Sequence, residues 1–149
     1  MMSVSVTTGP TSEPLTLSEV KNHLKVETAV TADDTLIESL ITAARATAEM
    51  YTGRALLTQT IEQVFDRFPI LPETSVHGKL KLFRNPVQSV TSITYNDPDG
   101  ATQTWDASKY TINTIHEPAR ISPVAGEEWP ETSWEAGNIK VTFTAGYSS

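Results

Sequence analysis

The chain of 149 residues contains no cysteine, which excludes disulfide scaffolding, thiolate catalysis and cysteine zinc sites and is compatible with a reducing cytoplasm. No apolar run approaches the roughly 20 residues that a membrane-spanning helix needs, so no membrane partner is expected. The opening MMSVSVTTGPTSEP has neither the basic start nor the apolar stretch of a secretory signal. Positive charge is also scarce: eleven Lys and Arg stand against eighteen Asp and Glu, a formal charge of −7. A surface that grips DNA neutralises phosphates with clustered cations, and the nearest cluster here is Lys79, Lys81 and Arg84. Three cations are too few for that role and read as the solvent face or edge of a strand whose other face carries Leu80 and Leu82, with Lys deterring edge-to-edge pairing.

Catalytic constellations are missing as well. His23, His77 and His116 fall on three different predicted elements at no metal-ligand spacing. There is no nucleophile elbow, phosphate-cradling glycine loop or HExxH helix. Asp97, Asp99 and Gly100 have a superficial likeness to a calcium loop, but Pro98 intervenes and no acid takes the closing position. A glycosidase needs two carboxylates across a cleft, one in an apolar pocket, and Glu128 beside Trp129 is the only candidate. No catalytic, cofactor-binding or metal-binding residues are expected.

What the chain does have is a two-helix signature between Leu15 and Leu56. Thr16 precedes an apolar-periodic run and Glu19 follows three positions later, the pattern of a capping box. Leu17, Val20 and Leu24 then share a face, which predicts a short helix. A second, long helix opens at Thr31 or Asp33, with Asp33 and Asp34 at the positive end of the helix dipole. Its apolar positions Leu36, Ile37, Leu40, Ile41, Ala44, Ala48 and Tyr51 repeat at three-and-four spacing, and Gly53 supplies a left-handed stop. The opposite face, Ser39, Thr42, Ala43, Ala46 and Thr47, is unusually small. Such a face suits the close approach of another backbone, either the chain's own β segment or a neighbouring subunit.

After Gly53 the period changes from helical to alternating. Thr58 to Phe68, Lys79 to Phe83, Ser89 to Asn96, Ala101 to Trp105, Tyr110 to Asn113, Ala119 to Ser122 and Asn138 to Thr144 read as strands. Asn96 to Gly100 makes a hairpin reversal, with Pro98 fixing φ and Gly100 in the left-handed position. Helices first and strands afterwards predict an α+β fold: a helical pair, one short and one long, followed by a small antiparallel β-sheet or barrel-like domain. The expected organisation is a flexible N-terminal arm (1–14), the helical pair (15–54) and an antiparallel β segment (55–149) packed with it as one compact unit. The segment from Gly126 to Gly137 places Trp129 and Trp134 among four glutamates. It either presents aromatic anchors in an acidic rim or folds back to cap an open end of the sheet.

Several runs resemble the phage head–tail connector (adaptor) proteins: Leu17 through Lys21, His23 and Leu24; Asp33 and Asp34; AAR at Ala43 to Arg45; EMYTGRAL at Glu49 to Leu56; RNPVQSV at Arg84 to Val90; ITYNDPDG at Ile93 to Gly100; and VTFTAGY at Val141 to Tyr147. The resemblance implies a virion structural protein, made in the bacterial host cytoplasm, that forms a ring at the neck. Such a ring joins the portal of the DNA-filled head to the next head-completion or tail protein. It surrounds passing DNA without sequence-specific binding, and twelvefold symmetry is implied. Similar proteins often continue past the AGY run into further helix, whereas this chain ends at Ser149, so more of the docking is expected to fall to the N-terminal arm, Tyr147 and the Trp loop.

The residues expected at subunit or partner contacts are Thr42, Arg45, Ala46, Thr47, Glu49, Arg54, Trp129, Trp134 and Tyr147. Of Arg45, Glu49 and Arg54, at least one is expected to bond across a subunit boundary or cap carbonyls at the Gly53 turn. The residues before Pro14 and after Val141 are expected to order only on the particle. Two other functions fit the residues less completely: a β-rich binding module of a tail or receptor-binding apparatus using Trp129 and Trp134, and a glycosidase using Glu128.

Overall fold

Thr16 and Glu19 close the expected capping box: the Thr16 hydroxyl accepts the Glu19 amide at 3.2 Å and the Glu19 carboxylate accepts the Thr16 amide at 2.8 Å. Helix α1 accordingly spans Leu17–Leu24 in the computed structural model, which describes residues 3–69 and 78–148. It ends on Lys25 in the left-handed region, φ 60°. Helix α2 spans Asp34–Thr52 and stops at Gly53, φ 67°, as the sequence predicts. Asp33 holds the N-cap position without a side-chain cap bond, so its contribution there is through the helix dipole.

Lys21 ties the two helices together. It occupies the apolar stripe of α1 between Leu17 and Leu24 and is buried. Its ammonium donates to the Val30 carbonyl at 2.7 Å and forms an ion pair with Asp34. A buried lysine is tolerated only when its charge is met in this way.

The strands are β1 (Ser3–Thr8), β2 (Gln59–Phe65), β3 (Leu80–Leu82), β4 (Val87–Asn96), β5 (Thr102–Thr104), β6 (Tyr110–Asn113), β7 (Ala119–Pro123) and β8 (Ile139–Ala145). They form two antiparallel sheets, one of five strands in the order β1-β2-β8-β4-β5 and one of three in the order β3-β7-β6. The fold class is α+β with antiparallel sheets, as expected. The Asn96 to Gly100 reversal joins β4 to β5, with Asp97 accepting amides of Asp99 and Ala101 and Gly100 at φ 83°.

Alternation decides the core. Along β8, Ile139, Val141, Phe143 and Ala145 are fully buried while Lys140 is exposed, and Ile61, Ile93, Leu82 and Ile121 meet them from both sheets. Gln63 joins the sheets: its side chain donates to the Lys81 carbonyl and accepts the Phe83 amide, both at 2.9 Å, so it serves β3 as a stretch of strand would.

Two expectations are corrected. The arm read as flexible contains β1, which pairs with β2 from Ser3↔Val64 to Thr8↔Thr60. The edge of β2 offers backbone partners there, and Val4 packs on the core, so ladder hydrogen bonds make up for the arm's small apolar content. Residues after Val141 were expected to order only on the particle, yet Thr142 to Ala145 complete β8 between β2 and β4, because their alternation buries Phe143 and Ala145. His77 lies outside the described residues.

Candidate assembly surface on the helical pair

Helix α2 is anchored to the β part at its C-terminal end. Glu49, buried in the last turn, accepts the Leu56 amide at 2.8 Å, the Gln59 side-chain amide at 2.9 Å and Arg45 Nη1 at 2.9 Å. The Glu49 carbonyl in turn accepts Arg84 Nη1 at 2.7 Å. Arg84 has φ 74°, a region that a non-glycine residue adopts only when its surroundings hold it there; here its side chain caps the end of α2. The carbonyl cap expected of Arg45, Glu49 or Arg54 is thus made by Arg84, which the sequence placed on a solvated strand.

Arg45 is also turned inward. It binds Glu13 through Nε at 2.7 Å and Nη2 at 3.2 Å, and Thr42 adds a hydroxyl bond to Glu13 at 2.9 Å. The Arg45 guanidinium holds the Glu13 carboxyl below the ordinary glutamate range against a smaller opposing effect of partial burial, and Thr42 lowers it further. A depressed carboxylate pKa means stability that is fully present above the unfolded value and is lost as pH falls through the folded value. Acidification below the usual glutamate range should therefore release the segment around Glu13 from α2. Amide exchange in residues 9–15 should rise there, and Glu13→Gln should show the faster exchange at neutral pH with no acid step.

Arg54 is less enclosed, donating to the Tyr147 hydroxyl at 2.7 Å and pairing with Glu117 in the β6–β7 turn. Trp129 leaves the candidate set. It is buried, stacked on Phe68 at 4.7 Å with Trp105 at 5.0 Å, and its indole N–H donates to the Gly78 carbonyl at 3.2 Å. Its role is to close the end of the sheets, because a ring of this size gains more from aromatic packing than from the solvent. Trp134 stays outside, 92% exposed with the Arg67 guanidinium over its ring at 5.8 Å. Glu128 is exposed, outside any apolar pocket.

Apart from the Glu13 contacts of Thr42 and Arg45, much of the length of α2 is left uncovered by its own chain. Thr42, Ala43, Ala46 and Thr47 are all exposed, so the small face does not lie against the chain's own sheets. On the other side only Ile37 and Ile41 are buried, while Leu36 and Leu40 are each 58% exposed and Tyr51 is 92% exposed. Between α1 and α2 runs an apolar groove of about 430 Å³ lined by Leu15, Val20, Leu24, Leu40, Ala44 and Ala48 among others. Exposed large apolar side chains concentrated on one element mark an interaction surface. Among the described residues no group of three or more His, Cys, Asp or Glu is placed to hold a metal ion, and no helix is long and apolar enough to cross a membrane.

Of the residues expected at subunit or partner contacts, Thr42, Ala46, Thr47, Trp134 and Tyr147 are exposed, whereas Arg45 and Glu49 turn inward. Glu13, Gln59 and Arg84 gave no local signal, since each acts on a residue far away in sequence. Lys21 did give one: a cation inside an apolar stripe.

Comparison with known proteins accords with this geometry. No curated protein sequence matches the chain. Among solved structures it is similar to a chain in the neck of an empty gene transfer agent particle computed with C6 symmetry, at 22% identity and a TM-score of 0.75, over 98% of this chain and 72% of that one. It is also similar to a chain in the virion of a native gene transfer agent particle, at 23% identity and a TM-score of 0.72, over 97% of this chain and 72% of that one. A third similar chain lies in the neck of the native particle computed with C12 symmetry, at 20% identity and a TM-score of 0.70, over 99% of this chain and 70% of that one. Residues 14–114 match the family described as Phage gp6-like head-tail connector protein, which takes in both helices and strands β2 to β6. The chain belongs to the phage head–tail connector family.

Proposed function

We propose that this protein is a structural subunit of a phage neck: a cyclic oligomer that joins the portal of the head to the tail side and surrounds the passing DNA. The observation that carries the reading is the uncovered length of α2, small on one side and apolar on the other, in a chain whose family connects heads to tails. A surface of this kind, left bare by the chain's own β part, is what a subunit interface requires. The similar neck chains come from particles computed with C6 and C12 symmetry, which supports a closed ring of twelve copies. Head-to-tail contacts close into such a ring when their rotation divides the circle. The acidic balance suits a channel through which DNA must slide, because a base-lined wall would hold the duplex.

The binding-module reading relied on both tryptophans, and burial of Trp129 leaves it Trp134 alone. Ala46→Arg or Thr47→Arg tests the ring. Each position is exposed on a helix, so folding stability should change by no more than about 0.5 kcal/mol and the circular dichroism spectrum should be unaltered. Incorporation into necks should nevertheless fall steeply. A variant that assembles as well as the wild type would remove α2 from the subunit contact.

A further inference from the structure

The three-stranded sheet turns a basic face outward. Lys81 on β3 stands directly opposite Arg120 on β7, and Lys79 extends the same face two residues earlier. Like charges in directly opposed positions on antiparallel strands repel each other, and this pair sits in a protein of net charge −7. Arg120 Nε is buried without a hydrogen-bond partner. It borders a polar cleft of about 410 Å³ that includes Lys79 and His116 and, among its described lining residues, no carboxylate. Such a face is completed by an acidic occupant.

The helical segment carries the opposite charge. From Glu13 to Glu38 the acids are Glu13, Glu19, Glu27, Asp33, Asp34 and Glu38, against Lys21 and Lys25. Glu13, Glu19 and Asp34 are engaged within the chain. Among the described residues the carboxylates of Asp33 and Glu38 have no partner, and both residues are exposed at the N-terminal end of α2.

The two surfaces lie too far apart to meet within one molecule. The Arg54–Glu117 ion pair fixes the turn beside the basic cleft against the C-terminal end of α2. Asp33 and Glu38 lie at the other end of a helix of 19 residues, about 28 Å long at 1.5 Å per residue. Complementary patches at opposite ends of one chain are the arrangement of a head-to-tail contact.

We propose that the basic face of the small sheet, Lys79, Lys81 and Arg120, docks on the acidic start of α2, Asp33 and Glu38, of a second copy of this chain. The inference rests on the ring reading and names the faces that meet in it. Opposite charges brought together across a partly desolvated interface would relieve the Lys81–Arg120 repulsion. The exposed leucines of α2, Leu36 and Leu40, flank Glu38 and would be covered in the same contact.

The absence of native cysteine makes the test direct. In particles assembled from the Glu38→Cys, Lys81→Cys double variant, a short bis-maleimide should link this chain to itself in a ladder that neither single variant gives. Independently, Lys81→Glu should lower incorporation into necks about tenfold, equivalent to about 1.4 kcal/mol, and adding Glu38→Lys should restore it to within about twofold of the wild type. Absence of the ladder in normally assembled necks, or failure of the charge exchange to restore a folded variant, overturns the docking while leaving the ring intact. A cross-link from position 81 to a different virion protein, or weaker retention on duplex DNA as the only effect of Lys81→Glu, also overturns it by naming another occupant. Absence of the wild-type chain from necks would instead overturn the ring reading.

Discussion

Replacing Gly146 with alanine should lower the stability of the fold by roughly 3 kcal/mol or more, the combined scale of backbone strain and forced overpacking. Gly146 has φ 122°, where L side chains rarely sit, and a Cβ built on it would lie 2.0 Å from the Leu57 carbonyl oxygen and 2.6 Å from the Thr58 nitrogen. Both obstacles are backbone, so no side-chain rotation relieves the clash. The position is also fixed from two other directions, by its amide donating to the Pro86 carbonyl at 2.9 Å and by its carbonyl accepting the Gln88 side chain at 2.8 Å. The end of β8 is thereby held where the chain leaves α2 and enters β2. Gly126→Ala provides the control, since Gly126 has φ 89° but nothing within 4 Å of an added Cβ. It should cost only the conformational part, about 1 kcal/mol. Urea unfolding midpoints of the two variants separate the effects, and equal losses would mean that the approach to Leu57 is not what makes glycine necessary.

The second large effect is expected at Glu49. Its carboxylate receives Arg45, the Leu56 amide and the Gln59 side chain in a buried position, and Arg45 itself is 10% exposed. Truncating Glu49 leaves the Leu56 amide and the Gln59 side chain without their acceptor, at about 1–3 kcal/mol for each buried donor, while Arg45 keeps Glu13. Glu49→Ala should reach that range, whereas Glu49→Gln, which keeps an acceptor for the Leu56 amide, should cost less. The loss should be local. Amide exchange should accelerate along α2, while Ile61, Ile93 and Val141 in the β core keep their protection, since the helices contribute nothing to that cluster. Uniform acceleration through the core would show instead that the helical pair and the sheets unfold together. For the assembly the consequence is direct: a contact borne by α2 would pass force to the sheets in large part through this anchor, alongside the Arg84 cap and Arg54.

Local chemistry made much of the architecture legible. The Thr16–Glu19 box and Gly53 fix helix ends through neighbours a few residues away, and the alternation of Ile139, Val141 and Phe143 fixes the buried face of β8. The hairpin at Asn96 to Gly100 is legible for the same reason. Strand β1 was not legible, because an edge strand rich in Ser and Thr is stabilised by the backbone it pairs with rather than by its own pattern. The inward turn of Arg45 and Glu49 was not legible for a related reason: an i,i+4 ion pair looks the same on paper whether solvent or Gln59 and Glu13 surround it. Trp129 and Trp134 are similar in sequence context, yet Phe68 and Trp105, distant in sequence, enclose one and leave the other bare. The exposed faces of α2 were legible in composition, since the small residues there met neither of the usual needs of a solvated helix.

A reconstruction of the neck from intact particles at side-chain resolution is the most direct test of the assembly. The expected result is a closed ring of this chain between portal and tail, with Ala46 and Thr47 of every copy packed against a neighbouring subunit. A neck in which the chain is missing, or in which that face of α2 looks into solvent, would contradict it.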